Sequence, residues 1–307
     1  MQTAVSTDGL AFKLHDFGAR GASSDETAAL GGLAHLVNFQ GSDTVAALVA
    51  ARRWYGAEMA GFSIPAAEHS TITAWGEENE EAAYRNMLQQ FAGEGRLVAV
   101  VSDSYDLWKA LENLWGGSLR QEVVRNGGTV VIRPDSGDPV QVVTQTIECL
   151  IKKFGAEKNA KGFWVLPDYI RVIQGDGINP DSIAEILAAM KSRQLSAENI
   201  AFGMGAALLQ KVNRDTQRFA MKASAICIDG QWRDVYKDPV TDPGKRSKAG
   251  RLALVEEQGR LTTVRKEAAA DANRLVEVFR NGELLQEWNL DEIRQRAADA
   301  ANNQGRA

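Results

Sequence analysis

Leu97-Val-Ala-Val-Val-Ser-Asp-Ser-Tyr-Asp106 runs from an apolar, β-branched segment straight into an acidic loop, and a helical pattern carrying Trp108, Leu111 and Trp115 follows. A strand with one wet face alternates apolar and polar residues, so an uninterrupted apolar run predicts a strand covered on both faces. The unit recurs. Thr129-Val-Val-Ile132 leads to Arg133-Pro-Asp-Ser-Gly-Asp-Pro139 and a helix with Val140, Val143, Ile147 and Ile151. Tyr169-Ile-Arg-Val-Ile173 leads to Gln174-Gly-Asp-Gly-Ile-Asn-Pro180 and a helix with Ile183, Ile186, Leu187 and Met190. Asn199-Ile-Ala-Phe202 leads to Gly203-Met-Gly-Ala-Ala207 and a short helix through Gln210. Apolar strands alternating with amphipathic helices predict an α/β fold with parallel strands. Ligands of such folds bind at the carboxyl ends of the strands. Asp103, Arg133, Asp135, Asp176 and the Gly203–Gly205 turn all fall there, although a single Asp in such a loop is also the pattern of a helix cap.

Upstream, Gly61-Phe-Ser-Ile-Pro-Ala-Ala-Glu-His-Ser-Thr-Ile-Thr-Ala-Trp-Gly76 delivers Glu68, His69 and Ser70 just before a helix-like segment. His69 is one of three histidines, and a neutral imidazole exchanges protons or attacks as a nucleophile near neutral pH. A Glu-His pair is equally the pattern of a hydrogen-bonded structural histidine. Lys13 to Gly21 reads as a loop bearing Phe17 and Arg20. Ser23-Ser-Asp-Glu26 has capping-box spacing and predicts a helix from Ala28 to Phe39, with His35 packed inside it. Ser42 or Asp43 is placed to cap a second helix toward Tyr55. Glu77 to Ala92 carries Tyr84, Met87, Leu88 and Phe91 as one buried stripe.

Beyond Arg214 the texture changes. Phe219 to Ile228 and Trp232 to Tyr236 predict strands joined by an Asp229-Gly230 turn, and Leu252–Leu254, Leu261–Val264 and a hairpin at Asn281-Gly282 continue them. Asp291 starts a last polar helix. The division drawn is 1–214, an α/β barrel, and 215–307, a strand-rich region with a terminal helix.

With 35 basic and 40 acidic residues in 307, the net charge of −5 gives no reason to expect a nucleic-acid or anionic-membrane partner. Cys149 and Cys227 lie far apart with no metal-ligand spacing, as expected in a reducing compartment. No secretion signal or membrane span is read, so a soluble cytoplasmic protein is expected.

Taken together, His15-Asp-Phe-Gly-Ala-Arg-Gly21, His35-Leu-Val-Asn-Phe39, Ser63-Ile-Pro-Ala-Ala-Glu-His-Ser-Thr71, Val101-Ser-Asp-Ser-Tyr-Asp106, Ile132-Arg-Pro-Asp-Ser-Gly137, Gln174-Gly-Asp-Gly177 and Lys237-Asp-Pro-Val240 resemble the nicotinamide phosphoribosyltransferase family almost end to end and in its order. The resemblance implies a type II phosphoribosyltransferase-like irregular α/β barrel, followed by the strand-rich part of a second domain. It implies a pentosyltransferase of NAD biosynthesis that joins nicotinamide to phosphoribosyl pyrophosphate, releasing pyrophosphate, with Mg²⁺ and with ATP as co-substrate. The alternatives are a base preference for nicotinate, or an inactive nucleotide-binding or partner-binding protein. By the same resemblance, His69, Asp103 and Asp135 are the catalytic set and His69 is the phosphoryl acceptor. Phe17 stacks on the pyridine between Arg20 and Arg133, Asp43 reads the carboxamide, and Ser63 is a further substrate-binding residue. Asp43 would accept from an amide N–H₂ and repel the carboxylate of nicotinate. Asp176 faces the ribose, Asp135 is the candidate metal ligand, and Gly203, Gly205, Ala206 and Arg214 form the 5′-phosphate site. Lys222, Lys237 and Lys245 approach the pyrophosphate or ATP phosphates. A homodimer is implied. Members of the family carry a further N-terminal portion that completes the second domain, so open strand edges and exposed apolar surface are expected after Arg214. Ala206 and Ala207 stand where the family has a longer glycine run and are expected to narrow the phosphate loop.

Overall fold

The computed structural model describes residues 2–213, 216, 221–241 and 243–304. In chain order, β1 (Leu14–Asp16) leads through the turn bearing Phe17 and Arg20 into α1 (Asp25–Asn38), then β2 (Gly41–Ser42) and α2 (Val45–Tyr55). Next come α3 (His69–Thr73), α4 (Glu80–Phe91) and β3 (Leu97–Val101). After β3, α5 (Leu107–Lys109) passes into a π-helical segment, Ala110–Ser118, and α6 (Arg120–Arg125). Then follow β4 (Thr129–Arg133), α7 (Pro139–Phe154), a small hairpin of β5 (Glu157–Lys158) and β6 (Trp164–Val165), and β7 (Ile170–Gln174). α8 (Pro180–Ser192), β8 (Ile200–Met204) and α9 (Ala206–Leu209) end this run.

Six of these strands form one all-parallel sheet in the order β2-β1-β8-β7-β4-β3. Residues 62–67 then bridge its two edges. Ser42 N–H donates to Phe62 O at 3.0 Å on one side, and Ala67 N–H donates to Ala99 O at 2.9 Å on the other. Pro65, with no N–H of its own, accepts from Ala99 N–H at 2.9 Å. The sheet is thereby curled into a barrel closed by a stretch too irregular to count as a strand.

Alternation along the strands sorts the side chains. Val98, Val130, Ile132, Val172, Ile200 and Phe202 point outward to α4, α7, α8 and the π-helical segment, forming the main core. Each such burial contributes about 1.5–3 kcal/mol relative to exposure. Ala99, Val131, Ile173 and Ala201 point inward with Phe17 and Ile64. A cavity of about 650 Å³ is lined by Ile64, Val131, Ile173 and Ala201 and reaches Leu97 and Arg171 at the amino ends of the strands.

The second unit, Asn213–Trp288, holds three separate two-stranded antiparallel ladders among its described residues: β9 (Ala225–Ile228) with β10 (Gln231–Asp234), β11 (Leu252–Glu257) with β12 (Arg260–Arg265), and β13 (Phe279–Arg280) with β14 (Glu283–Leu284). One short helix, α10 (Lys266–Ala269), follows β12. Asp229-Gly230 and Asn281-Gly282 adopt positive φ at both turn positions, as the type I′ hairpins read from sequence require. Ile226, Ile228, Trp232, Phe279 and Leu284 are exposed. Phe219 and Ala220, read as the start of the first of these strands, lie outside the described residues. The terminal helix α11 (Leu290–Gln304) belongs to the first unit: Leu290 enters the α1–α2 core, and Arg294 donates to Leu36 O and Ala60 O at 2.9 and 2.6 Å.

Some local expectations shift. Ser24, not a Ser23–Glu26 box, caps α1 by accepting from Thr27 N–H at 3.1 Å. α2 starts at Thr44 with no side-chain cap, because Ser42 Oγ accepts from Thr44 N–H and Asp43 bonds elsewhere. Phe91 and Trp108 are exposed. For Trp108 the cause is the change from α to π register two residues on, which rotates Leu111 and Trp115 inward without it. His35 is a packed helix residue, bonded through Nε2 to Gly41 O at 2.9 Å and stacked on Phe39.

Glu80 is buried at 3% exposure, accepts from Tyr84 Oη at 2.8 Å, and burial pushes its carboxyl above the ordinary carboxylate range. A raised folded pKa for an acid means stability that is fully present below the unfolded value and declines as pH rises through the folded one. Glu80→Gln keeps an acceptor for Tyr84 and removes that decline. Its melting temperature should exceed the parent's at pH 7, with the two converging as pH falls below the ordinary carboxylate range, measured by thermal unfolding across pH.

Candidate functional site

The carboxyl ends of the parallel strands and the closing segment 62–67 converge, and the charged side chains gather there. Glu68 is the N-cap of α3, its N–H donating to Thr71 Oγ1 at 3.1 Å and its carbonyl accepting from the Thr71 hydroxyl at 2.8 Å, which places His69 at the first helical position. His69 Nε2 lies 3.0 Å from Asp103 Oδ1, and Nδ1 lies 3.9 Å from Asp135 Oδ2. The Asp103 side chain is nearly buried, at 4% exposure, whereas His69 is 42% exposed, so the imidazole is reachable while its partner is shielded. The second Asp103 oxygen accepts from Asp135 N–H at 3.0 Å and from the Ser136 hydroxyl.

Arg133 extends from the end of β4 with its guanidinium 8% exposed, and it forks onto Glu68 with bonds of 2.9 and 3.1 Å; Asp135 Oδ2 is 3.7 Å away. The fork is the strong bidentate geometry of Arg with a carboxylate. The Arg133 hydrogen bonds hold the Glu68 carboxyl below its usual range against partial burial, and the charge of Arg20 acts in the same direction. Burial pushes Asp135 up, the Arg133 charge pulls it down, and the negative charges of Asp103 and Asp176 push it further up.

Phe17, directly after β1, donates its N–H to Met204 O at 2.9 Å, which seats the ring across the end of β8. A Cβ at Gly203 would stand 2.0 Å from that ring, and one at Gly175 would meet both Asp135 Oδ1 and the ring. Gly203 is therefore the floor under Phe17. A Cβ at Gly205 would meet nothing within 4 Å, so that glycine faces open space at the start of α9. The Ala206 methyl lies against Gly21 and Ala207 packs on the main core, so neither methyl occupies the open side at Gly205. Asp43 and Ser63 pair, Ser63 Oγ donating to Asp43 Oδ1 at 2.5 Å, and Ser63 also lines the inner cavity with His15, Ile64, Val131 and Ala201.

The structure thus brings together His69, Asp103, Asp135, Arg133 and, by their charges, Arg20 and Asp176; Phe17 with Gly203; and Asp43 with Ser63. Arg214 lies outside the described residues. Lys222, Lys237 and Lys245 are exposed on the second unit. Absent from the sequence-derived set were Glu68 as the partner of Arg133, Ser136, and Gly175. The Arg-Pro-Asp-Ser-Gly run already held Ser136, but a serine after an Asp reads first as turn chemistry. Among the described residues no helix is long and apolar enough to cross a membrane.

Gly203→Ala should displace Phe17. We expect a loss on the order of 1–3 kcal/mol in stability, from overpacking, and quenched or shifted contacts of the Phe17 ring in NOE spectra. Gly205→Ala, whose Cβ meets open space, should leave both unchanged.

The nicotinate phosphoribosyltransferase (NAPRTase) family model matches residues 12–283. The chain is 56% identical over 299 residues to the nicotinamide phosphoribosyltransferase of Xanthomonas campestris pv. campestris (strain 8004), the match covering 95% of this chain and 64% of that protein. It is 33% identical over 321 residues to the nicotinamide phosphoribosyltransferase of Acinetobacter baylyi (strain ATCC 33305 / BD413 / ADP1), covering 97% and 63%. The corresponding protein of Mycoplasma pneumoniae (strain ATCC 29342 / M129 / Subtype 1) is 36% identical over 264 residues, covering 82% and 56%. The chain spans less than two thirds of the length of these relatives. With the family model matching most of its residues, the chain belongs to the nicotinate phosphoribosyltransferase (NAPRTase) family.

Proposed function

We propose that this chain carries the catalytic barrel of a nicotinamide phosphoribosyltransferase, which makes nicotinamide mononucleotide and pyrophosphate from nicotinamide and phosphoribosyl pyrophosphate. The observation that carries the reading is the convergence of His69, Asp103, Asp135 and Arg133 at the strand ends beside Phe17. The relatives in Xanthomonas campestris, Acinetobacter baylyi and Mycoplasma pneumoniae, all nicotinamide phosphoribosyltransferases, support it.

A weakly nucleophilic pyridine must be held over an anomeric carbon while a pyrophosphate leaves, which calls for stacking, an amide reader and charge neutralisation. Phe17 supplies the ring face. Asp43, held by Ser63, accepts from the carboxamide N–H₂ and disfavours the carboxylate of nicotinate. Arg20 and Arg133 flank the ring, and Gly205 leaves the backbone open to the 5′-phosphate. Asp176 takes the ribose hydroxyls. Mg²⁺ entering with the diphosphate adds charge neutralisation, and Asp135, flanked by the charges of Asp103 and Asp176, is the residue that would hold it.

His69 serves as the phosphoryl acceptor from ATP. With Nε2–H donating to Asp103, the Nδ1 lone pair is free to attack the γ-phosphorus; the bond to the bridging oxygen breaks and ADP leaves with its electron pair. Asp103 then balances the positive charge left on the ring. In this reading the protein is a homodimer that works in the cytoplasm.

Two substitutions separate the roles. His69→Ala should abolish ATP stimulation and phosphate incorporation from γ-labelled ATP while leaving the choice of base intact. Asp43→Asn should shift the ratio of kcat/KM for nicotinamide over nicotinate toward nicotinate by about 10-fold or more, since one charge-assisted amide contact is lost and one repulsion removed. Equal turnover of nicotinate by the parent would overturn the role of Asp43, and no pyrophosphate release with either base would overturn the transferase reading.

A further inference from the structure

Behind the His69–Asp103 pair lies a buried polar chain that the proposed chemistry does not use. Trp115 is fully buried, and its indole Nε1–H donates to Ser102 Oγ at 3.0 Å. Ser102 is likewise fully buried; its hydroxyl donates to Val100 O at 2.9 Å, and its N–H donates to Arg133 O at 2.9 Å. The residue after Ser102 is Asp103. The main-chain N–H of Ser102 ties the end of β3, which bears the carboxylate facing His69, to the end of β4, whose Arg133 forks onto Glu68, while the Ser102 hydroxyl links that strand end to Trp115.

What holds Trp115 in place is unusual. It sits in a nine-residue π-helical segment, with Leu119 N–H donating to Leu114 O five residues back at 2.9 Å. Bonding i→i+5 brings Ala110 and Trp115 to the same side, and both are fully buried. The indole stacks on Tyr84, with ring centroids 4.7 Å apart and planes 16° apart, and Tyr84 is pinned in turn through its hydroxyl to Glu80. Packing alone would be met by a regular helix and any large apolar side chain. A helix in the rarer register that turns a donor onto one serine, one residue from the carboxylate that orients His69, points to positioning.

We propose that Trp115 is a positioning residue for His69, acting through Ser102 to fix the Asp103 carboxylate and the Nε2–H tautomer of the imidazole. The proposal rests on the reading of His69 as the phosphoryl acceptor, and its principal test requires no activity. Trp115→Phe keeps an aromatic ring for the Tyr84 stack and removes the N–H donor together with part of the buried ring volume. Ser102→Ala removes the acceptor at a different site, without a large change in volume.

In protein labelled with ¹⁵N-histidine there are three imidazoles, His15, His35 and His69. At neutral pH the His69 nitrogen shifts in the parent should be those of the Nε2–H form. In both variants they should move toward the average of the two tautomers, while those of His15 and His35 stay within error and thermal unfolding remains a single cooperative transition. If the parent is active, kcat for ATP-stimulated turnover should fall about 10-fold in each variant with the KM for nicotinamide unchanged, as expected when a reacting group is misplaced and substrate binding is not. Combining Trp115→Phe with Asp103→Asn should add nothing to the shift that Asp103→Asn causes alone. Unchanged His69 shifts in a folded Ser102→Ala protein, or equal shifts of all three histidines in both variants, would overturn the proposal whether or not the chain proves to be a transferase. Loss of turnover with unmoved His69 shifts would overturn it as well.

Discussion

Closure of the parallel sheet is the constraint on which the site depends. Six parallel strands leave two open edges, and the edge groups of β2 and β3 must find partners. Residues 62–67 supply them from an extended stretch interrupted by Pro65, bonded to Gln40 and Ser42 on one side and to Ala99 on the other. A proline is tolerated because it stands at the start of the contact with β3, where its carbonyl accepts from Ala99 N–H and the ladder calls on no N–H before that of Ala67. The same stretch runs on without a break into Glu68 and His69. Hydrogen bonds that close the barrel therefore also set the height and direction at which the imidazole enters it.

The electrostatics follow from that arrangement. A guanidinium with almost no solvent exposure is costly to bury unless its charge is answered, and Arg133 is answered by two oxygens of Glu68 and one of Asp135. Glu68 lies on the closing segment and Arg133 on β4, so the ion pair joins the seam to the middle of the sheet. Asp103 performs a similar service for the two loops it touches, accepting from the peptide and hydroxyl that follow β4 while facing His69. Burial first, and the negative charges of Asp103 and Asp176 after it, raise the Asp135 carboxyl above the ordinary carboxylate range against the pull of Arg133.

Much of this was legible before any coordinates. The four apolar runs ending in acid or glycine loops became β3, β4, β7 and β8 because period and composition agree with double-sided burial there. β1 and β2 were not legible. Leu14-His-Asp16 and Gly41-Ser42 carry little β propensity and are strands only because β8 and residue 62 offer them partners. Within the site, His69, Asp103 and Asp135 were singled out by their motifs, but the partnership of Glu68 with Arg133 spans 65 positions and no local spacing announces it. Gly203 was read as room for a phosphate, whereas its immediate neighbour is the Phe17 ring, a contact only the folded chain reveals. The helix after Asp106 was read with α periodicity, and Trp108 fell on the wrong side because the register changes at Ala110.

That change of register bears on how relatives of this chain can vary in length. A π-helical stretch carries surplus residues compared with an α-helix, so taking one residue out of Ala110–Ser118 would relax it toward the commoner helix. The shortened segment would gain backbone regularity and would still bury Leu111. Side chains beyond the deletion, however, would be rotated relative to Ala110 by the change of winding, and the indole would lose its aim at Ser102. Insertions and deletions are ordinarily tolerated in loops and punished in cores. Here a deletion that improves the helix would be felt two strands away, by a histidine it never touches.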